Sequence, residues 1–239
     1  MFSNVTRLNE KIIEMKNIIL VVAAHPDDEV LGCGGTIARY AAAGDDVNIL
    51  IVAEGATSRD DTNSEMVAAL KQCAAKAALV LGAKPPIMLG LPDNRLDSMD
   101  RLDVIKAIER HIEEIGPNTV YTHHGGDLNI DHRIVYEAVI TACRPVPGSS
   151  VRQIFSFETV SSTEWATPSI GHAFSANHYV QISDQMETKI RAIQAYETEM
   201  RPFPHARSLE SVKTVARLRG SQVGVEEAEA FQTELEIVD

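Results

Sequence analysis

Hydrophobic residues along the chain occur in short runs that alternate with longer segments of helical spacing. The first run, Ile18 to Ala23, is β-branched and only 6 residues long, so it predicts a strand buried on both faces. Similar runs predict strands at 47–52, 87–89, 119–122, 154–158 and 179–182. Amphipathic or alanine-rich segments predict helices at 63–81, 102–115, 132–143 and 184–197. This alternation predicts an α/β fold, namely a three-layer α/β/α sandwich with a mostly parallel sheet.

The two ends of the chain add helices to this plan. Residues 4–16 predict a short surface helix, and 208–218 and 226–235 predict helical pieces after the last strand. A length of 239 residues suits one domain, so we interpret 1–239 as a single domain in which residues from about 200 to 239 form a C-terminal helical extension.

Two irregular segments interrupt the second half of the chain. Residues 160–177 form a long polar stretch that holds the only tryptophan, Trp165, and such a loop is more often functional than idle. Residues 201–208 are rich in proline and basic side chains. They are either a crossing held by prolines or a flap over a pocket, in this subunit or a neighbouring one.

The net charge of the chain limits the kinds of partner that the protein is expected to bind. With 22 basic and 34 acidic residues the net charge is -12, without a basic stripe, which argues against nucleic acid or an anionic membrane as the main partner. We find no apolar run of about 20 residues and no signal peptide, so we expect a soluble, cytoplasmic protein. The cysteines are odd in number and far apart, which does not favour a disulfide framework or a cysteine zinc site. They are Cys33, Cys73 and Cys143.

The densest group of chemically active residues follows the first strand. Residues 25–29 contain one histidine and three acidic residues, which would repel one another unless a cation or hydrogen bonds offset them. Because open α/β sheets bind ligands at the carboxyl ends of their strands, we expect a metal site here. Glycines 32, 34 and 35 miss the spacing of a nucleotide-binding loop; we expect them to let the backbone turn around the metal loop, with a helix beginning after them.

A second polar group follows the strand predicted at 119–122. It ends in Asp131-His132, and loops from adjacent strands of a parallel sheet can converge on one point. His25 and Asp28, with a third ligand from this loop, would give the two-histidine, one-carboxylate set of hydrolytic zinc. Asp27 is then free to act as general base on a metal-bound water.

These residues resemble a known family. Ala-His-Pro-Asp-Asp-Glu at 24–29, followed by Leu-Gly-Cys-Gly-Gly-Thr at 31–36, is similar to the signature of the PIG-L or LmbE-like zinc-dependent N-deacetylases. Asp131-His132 resembles the second motif of that family, and residues 90–93 resemble its sugar-contacting loop. The resemblance implies a Rossmann-like fold and hydrolysis of an N-acetyl group from an amino sugar, a sugar conjugate or a nucleotide-linked sugar.

The resemblance also implies roles for single residues. By position, His25, Asp28 and His132 resemble the ligands of Zn²⁺, with another divalent metal such as Fe²⁺ as an alternative, and Asp27 resembles the general base. We assign Asp131 to the catalytic group as a residue that orients a neighbouring histidine. The family resemblance favours a homo-oligomer.

One position departs from the family pattern. Many members have a histidine three residues before the last metal ligand, where this chain has Asn129. Asparagine can donate a hydrogen bond to an oxyanion but cannot carry a proton at neutral pH. The acid role then falls to protonated Asp27 or to a histidine. The candidates are His123, His124 and His178.

The substrate is less well defined by the sequence. We expect substrate contacts from Arg59 and Asp93, by resemblance, and from His124 and His178. Two alternatives stay open at this point: an amidase acting on a larger sugar-thiol conjugate, and a non-catalytic sugar- or nucleotide-binding protein with a structural metal.

Overall fold

A computed structural model describes residues 16–56 and 64–238. Within these ranges, seven strands form one sheet and six α-helices flank it. The strands are β1 (Ile18–Ala23), β2 (Asp46–Ala53), β3 (Ile87–Leu91), β4 (Thr119–His123), β5 (Gln153–Phe157), β6 (His178–Gln181) and β7 (Ala228–Glu236). The helices are α1 (Asp28–Ala43), α2 (Ser64–Leu81), α3 (Arg101–Ile115), α4 (Ile130–Ala142), α5 (Met186–Gln194) and α6 (Leu209–Ser221). Arg59 and all but the last residue of the helix predicted at 4–16 lie outside the described residues.

The strands follow the order β3-β2-β1-β4-β5-β7-β6. The first five in this order are parallel, whereas β7 runs antiparallel to both β5 and β6. The chain moves outward from β1 to β3 on one side and from β4 to β5 on the other, so the strand order reverses between β1 and β4. Such a reversal opens a crevice at the carboxyl ends of the two strands, where α/β sheets bind ligands.

Apolar side chains cover both faces of the sheet. Ile19 and Val21 of β1 point into a core shared with α1, α2, α5 and α6, and Leu20 and Val22 point into a second core shared with α3 and α4. Burial on both faces is the reason that β1 is a continuous β-branched run. The predicted three-layer α/β/α sandwich with a mostly parallel sheet is therefore confirmed. None of the described helices is long and apolar enough to span a membrane.

The C-terminal segment corrects one prediction. Residues 228–236, predicted as part of a helix at 226–235, form β7, which lies between β5 and β6. Alanine and glutamate favour a helix by intrinsic propensity, but tertiary pairing overrides it here because Phe231 is buried and pairs with Phe157 and His178. The alternation of Phe231, Thr233 and Leu235 with polar residues was the signal for a strand.

The glycine-rich segment corrects a second prediction. Helix α1 begins at Asp28, before the glycines, so they do not form a turn around the metal loop. A Cβ on Gly32 would lie 2.3 Å from the ring of Phe157, and one on Gly35 would lie 2.7 Å from Ile182. The absence of side chains therefore lets α1 pack closely against its neighbours.

A buried ion pair holds the middle of α1. Glu229 of β7 accepts hydrogen bonds from the backbone N–H groups of Gly35 (2.8 Å) and Thr36 (2.7 Å). Lys189 of α5 donates to Glu229 (2.5 Å) and to the carbonyl oxygen of Leu31 (2.8 Å). The helix that opens with Asp28 is thus fixed by α5 and by β7.

Candidate metal and catalytic site

The turn between β1 and α1 separates two neighbouring carboxylates. Asp27 has φ 107°, a left-handed conformation that is strained for a residue with a side chain. Its backbone N–H donates to Glu29 Oε2 at 3.0 Å, which helps to hold this conformation. The Asp28 side chain instead points back toward His25, and its Oδ2 accepts a hydrogen bond from the His25 backbone N–H at 2.9 Å.

Three side chains converge at this turn: His25 and Asp28 follow β1, and His132 lies in the first turn of α4. Asp28 Oδ2 lies 3.2 Å from His25 Nδ1 and 3.2 Å from His132 Nε2. The three residues can offer ligand atoms that all lie within 4.8 Å of one another. Asp28 Oδ1 is buried and makes no hydrogen bond with the described residues. Two imidazole nitrogens and a carboxylate oxygen without a partner fit a divalent metal ion.

A carboxylate lies behind each of the two histidines. His132 Nδ1 is 3.1 Å from Asp127 Oδ1, and His25 Nε2 is 3.0 Å from Asp131 Oδ2. A carboxylate in this position fixes the orientation of a metal-binding imidazole and makes it a stronger ligand. The geometry suits the orienting role predicted for Asp131, with His25 as the histidine concerned; that role stays a prediction.

The environment of Asp131 decides between two interpretations. His25, Asp93 and Asp131 also form a group whose ligand atoms lie close enough for a metal ion. Asp131, however, already accepts backbone hydrogen bonds on both oxygens, from Asn94 (2.7 Å) and Leu96 (3.1 Å). We therefore interpret Asp131 as an anchor for the loop after β3 and for the His25 ring.

Asp127 is the site residue that the sequence did not single out. Its buried carboxylate accepts hydrogen bonds from the hydroxyl groups of Ser162 and Thr163 (2.6 Å for Thr163) and from the backbone N–H of Asn129 (2.9 Å). Burial opposes ionisation, but His132 and the two hydroxyl groups lower the pKa of Asp127 to about 2. The polar run after β4 was the only signal, and it did not distinguish Asp127 from Asp131.

The pKa values of the three histidines near Asp28 are shifted in different directions. Burial disfavours the charged rings, yet hydrogen bonds to Asp131 and Asp28 raise the pKa of His25 to about 10, and Asp28 and Asp127 raise that of His132 to about 9. Burial and the nearby His132 lower the pKa of His123 to about 3. His123 Nε2 accepts from the Ala24 N–H at 2.8 Å, as a neutral ring does.

Asp27 faces a separate set of partners. Its carboxylate pairs with Arg207, whose Nε also donates to Ser161 Oγ at 2.7 Å. Burial raises the pKa of Asp27 well above its usual range, although Arg207 opposes this shift. A carboxylate with a raised pKa suits proton transfer near neutral pH. Arg207 belongs to the 201–208 segment, which therefore lies beside the candidate base.

Asn129 caps helix α4 at the edge of the site. Its Oδ1 accepts from the backbone N–H of Asp131 at 2.8 Å, and its Nδ2 donates to Asn94 Oδ1 at 3.0 Å. One hydrogen of the amide group is left over from these two contacts, so Asn129 keeps the capacity to donate one further hydrogen bond.

Of the residues predicted to contact substrate, one lies at the candidate metal site and two have partners elsewhere. Asp93 is buried in the site, with Oδ1 3.2 Å from His25 Nε2. His124 Nε2 bonds to the His172 carbonyl oxygen at 2.8 Å, and His178 stacks on Phe155 with ring centroids 4.2 Å apart. The contacts of the described residues therefore bring Asp93 to His25, one of the candidate metal ligands, and direct His124 and His178 elsewhere.

The chain is similar to a known family and to named proteins. Residues 20–143 match the PIG-L family, described as GlcNAc-PI de-N-acetylase. The uncharacterized deacetylase YaiS of Escherichia coli K12 is 35% identical over 152 residues, which cover 60% of this chain and 75% of YaiS. A probable N-acetyl-alpha-D-glucosaminyl L-malate deacetylase 2 of Bacillus cereus is 28% identical over 202 residues, covering 81% and 90%.

A solved structure extends the similarity over nearly the whole chain. The N,N'-diacetylchitobiose deacetylase of Pyrococcus horikoshii superposes with a TM-score of 0.74, covering 91% of this chain and 83% of the other. At 23% identity this match shows the fold alone. The family match spans more than half of the chain and includes the turn at residues 24–29 together with Asp131-His132. The chain therefore belongs to the PIG-L family, and both relatives given above are named as deacetylases.

Proposed function

We propose that this protein is a metal-dependent N-deacetylase, a hydrolase that removes an N-acetyl group from an amino sugar, a sugar conjugate or a nucleotide-linked sugar. The observation that carries the proposal is the convergence of His25, Asp28 and His132 next to a buried carboxylate, Asp27, that none of them uses. That arrangement places a candidate metal site beside a carboxylate that can accept a proton, and its residues belong to a family of deacetylases.

The metal proposed for the site is Zn²⁺, with Fe²⁺ as the alternative. The ligand set has two imidazoles, one carboxylate and no thiolate, which suits either ion and is typical of catalytic zinc. The ion would polarise the amide carbonyl and lower the pKa of a water molecule. His25 and His132 are held for this purpose by Asp131 and Asp127.

The side chains of this protein then transfer the proton of the attacking water and stabilise the negative charge that develops on the carbonyl oxygen. Asp27 takes a proton from the attacking water, and its raised pKa lets it return that proton to the leaving amine. Arg207 keeps the Asp27 carboxylate in place. Asn129 donates its remaining N–H to the oxyanion that develops as the carbonyl carbon becomes tetrahedral. Acetate and a free amine are the products.

Release of acetate is the direct test. Purified protein with one equivalent of zinc is incubated with N-acetylglucosamine, its glycosides and N-acetylated sugar nucleotides, and acetate is measured with and without a chelator. We expect chelator-sensitive release that Asp27→Asn lowers by about 100-fold or more, as loss of a general base does. Asp97→Asn, an exposed carboxylate in the short turn before α3, is the matched control.

The same assay separates the alternatives. An amidase for larger conjugates would release its acid product from a sugar-thiol conjugate faster than acetate from any N-acetyl sugar. A non-catalytic binding protein would release no acetate from any compound and would bind sugars with equal affinity in the Asp27→Asn variant. Full activity of Asp27→Asn would contradict the proposed mechanism.

The assembly and location of the protein also stay as predictions. We expect a homo-oligomer in the cytoplasm that acts on a small sugar and not on nucleic acid or a membrane surface. The acidic composition supports the absence of an anionic partner. Light scattering coupled to size exclusion measures the oligomeric state, and a monomer at working concentration would contradict this expectation.

A further inference from the structure

Backbone strain in this protein is concentrated around Asp27. In the part of the chain that the structure describes, the residues other than glycine with a positive φ are Asp27 (107°), Asn94 (51°) and Ser161 (67°). Asn94 donates its backbone N–H to Asp131 at 2.7 Å. The Ser161 hydroxyl group accepts from Arg207, which pairs with the Asp27 carboxylate. Such strain persists only where surrounding contacts hold it, and it is typical of functional sites.

Asp27 also departs from the usual behaviour of an aspartate at the start of a helix. An aspartate in the N-cap position normally has extended backbone angles, and its side chain accepts a hydrogen bond from the first turn of the helix. Asp27 is the N-cap of α1 but makes no such bond, and its carboxylate pairs with Arg207 instead. The turn therefore lacks a stabilising cap and keeps this carboxylate directed away from the helix.

Glu29 makes the contact that holds this turn. Its side chain is buried, and each of its two oxygens has its own partner. Oε2 accepts from the backbone N–H of Asp27 at 3.0 Å, and Oε1 accepts from the hydroxyl group of Tyr196 at 2.6 Å. Because α1 fixes the peptide that follows Asp27, a bond to the N–H that precedes it sets the φ angle of this residue.

Tyr196 holds Glu29 from the core. This tyrosine lies just after α5 and is fully buried in the core that α1 and α5 share. A buried carboxylate needs donors to replace the water that it has lost, and a hydroxyl group that donates to a carboxylate makes a strong hydrogen bond. A chain of two hydrogen bonds therefore runs from the core through Glu29 to the backbone of Asp27.

We propose that Glu29 and Tyr196 are positioning residues for the general base. They hold the strained turn from which the Asp27 carboxylate reaches the attacking water, and they act on the reaction through Asp27 alone. The inference rests on the proposed function, in which Asp27 takes the proton of that water. Proton transfer needs the two groups within hydrogen-bond reach, and a misplacement of about 1 Å can lower the rate by about 100-fold.

Acetate release by zinc-loaded, full-length variants tests this role. Glu29→Met keeps the length of the side chain but cannot accept from the Asp27 N–H, so kcat should fall by about 10- to 100-fold while KM stays unchanged. Glu29→Gln should retain most of the activity, because its amide oxygen can accept from that N–H and its NH2 group can donate to Tyr196. An equal loss in both variants would overturn the inference, since charge and not position would then matter.

Tyr196→Phe removes a single hydroxyl group, and Tyr121→Phe is its matched control. Tyr121 is fully buried in the same core, and its hydroxyl group lies 3.0 Å from that of Tyr40, farther along α1. Both variants lose a buried hydrogen bond, so both should unfold at a lower temperature. Only Tyr196→Phe should lower kcat, and an equal kcat in the two variants would overturn the inference.

A double-mutant cycle shows whether the effect passes through Asp27. In an Asp27→Asn background, Glu29→Met should change the residual kcat by less than about twofold, because no base is left to position. A merely structural role would lower kcat by the same factor with and without the base, and that result would contradict the inference.

Amide hydrogen exchange, followed by NMR, separates this inference from the proposed function. The Asp27 N–H should exchange at least about tenfold faster in Glu29→Met, which removes its acceptor. The His25 N–H, which Asp28 accepts, should be unchanged. Faster exchange of Asp27 in a protein that releases no acetate would support the hold on the turn and refute the deacetylase. Acetate release with the parent kcat in both Glu29→Met and Tyr196→Phe would do the reverse.

Discussion

The carboxylate behind His132 provides the sharpest test of the metal site. Asp127→Asn keeps the size of the side chain and one acceptor oxygen, but removes the negative charge that lies 3.1 Å from His132 Nδ1. The Ser162 hydroxyl group can still donate to the amide oxygen at the Oδ1 position, and the amide NH2 group at the Oδ2 position can donate to the Thr163 hydroxyl group. The substitution should therefore act on the histidine more than on the loop.

The expected loss follows from this contact. Removing a carboxylate that orients a metal-binding histidine lowers metal affinity by about 10- to 100-fold, which is about 1.4 to 2.7 kcal/mol at 25 °C. The lost charge also lowers the pKa of His132, because Asp127 helps to hold it at about 9. Fewer protons then compete with zinc, so the lower end of the range is expected at pH 7.

Competition with a chromophoric zinc chelator measures the affinity directly. Activity at saturating zinc should recover further than activity at limiting zinc, whereas Asp97→Asn should match the parent protein in both. Thermal unfolding in the presence of chelator gives the stability of the metal-free chain separately. An affinity within threefold of the parent, in a variant that is folded, would refute the role assigned to Asp127.

Four further predictions concern buried residues. Zinc affinity should rise with pH, because His25 and His132 are protonated up to about pH 10 and 9 without metal and must lose a proton to bind the ion. Calorimetry in buffers of different ionisation enthalpy should therefore show about two protons released per ion below pH 9. His25 and His132 have higher pKa values in the folded chain than the value of about 6.5 expected in the unfolded chain. Without metal they therefore stabilise the fold fully below about pH 6.5, and this contribution is lost as the pH rises through 9 to 10. Lys189→Met should lower the free energy of unfolding, measured in urea, by about 3 to 5 kcal/mol, because it leaves the buried Glu229 carboxylate without its cation. Lys213→Met, which removes a more exposed ion pair, should change that free energy by less than about 1 kcal/mol. Gly32→Ala should destabilise the fold by about 1 to 3 kcal/mol through its clash with the aromatic ring of β5, and an unchanged melting temperature would contradict that packing.

The sequence predicted those parts of the fold that depend on local pattern. The run at β1 alternates between two cores, so its burial on both faces could be inferred from composition alone. His25, Asp28 and His132 could be brought together because the carboxyl ends of parallel strands share one edge of the sheet. Their convergence in the structure follows from that topology and not from any contact visible in the sequence.

The remaining features depend on contacts between distant segments. Asp127 accepts from the hydroxyl groups of Ser162 and Thr163, which follow it by more than 30 residues, whereas Asp131 accepts from backbone N–H groups of the loop after β3. β7 has the composition of a helix and becomes a strand because two strand edges are available to it. His178 was chosen for its chemistry alone, and its partner proved to be the ring of Phe155. Residue type and intrinsic propensity do not contain this information.

The buried Glu229–Lys189 pair that holds α1 has a consequence for the order of folding and metal uptake. Glu229 lies 194 residues after Gly35, whose N–H it holds, and β7 is the last strand to be synthesised. Domains fold as units, so a nascent chain that stops before residue 228 has the candidate metal-binding turn but lacks the strand that fixes the helix behind it. Stable uptake of the ion is therefore expected only after β7 has been made, and a chain stalled before residue 228 should give zinc up readily to a chelator.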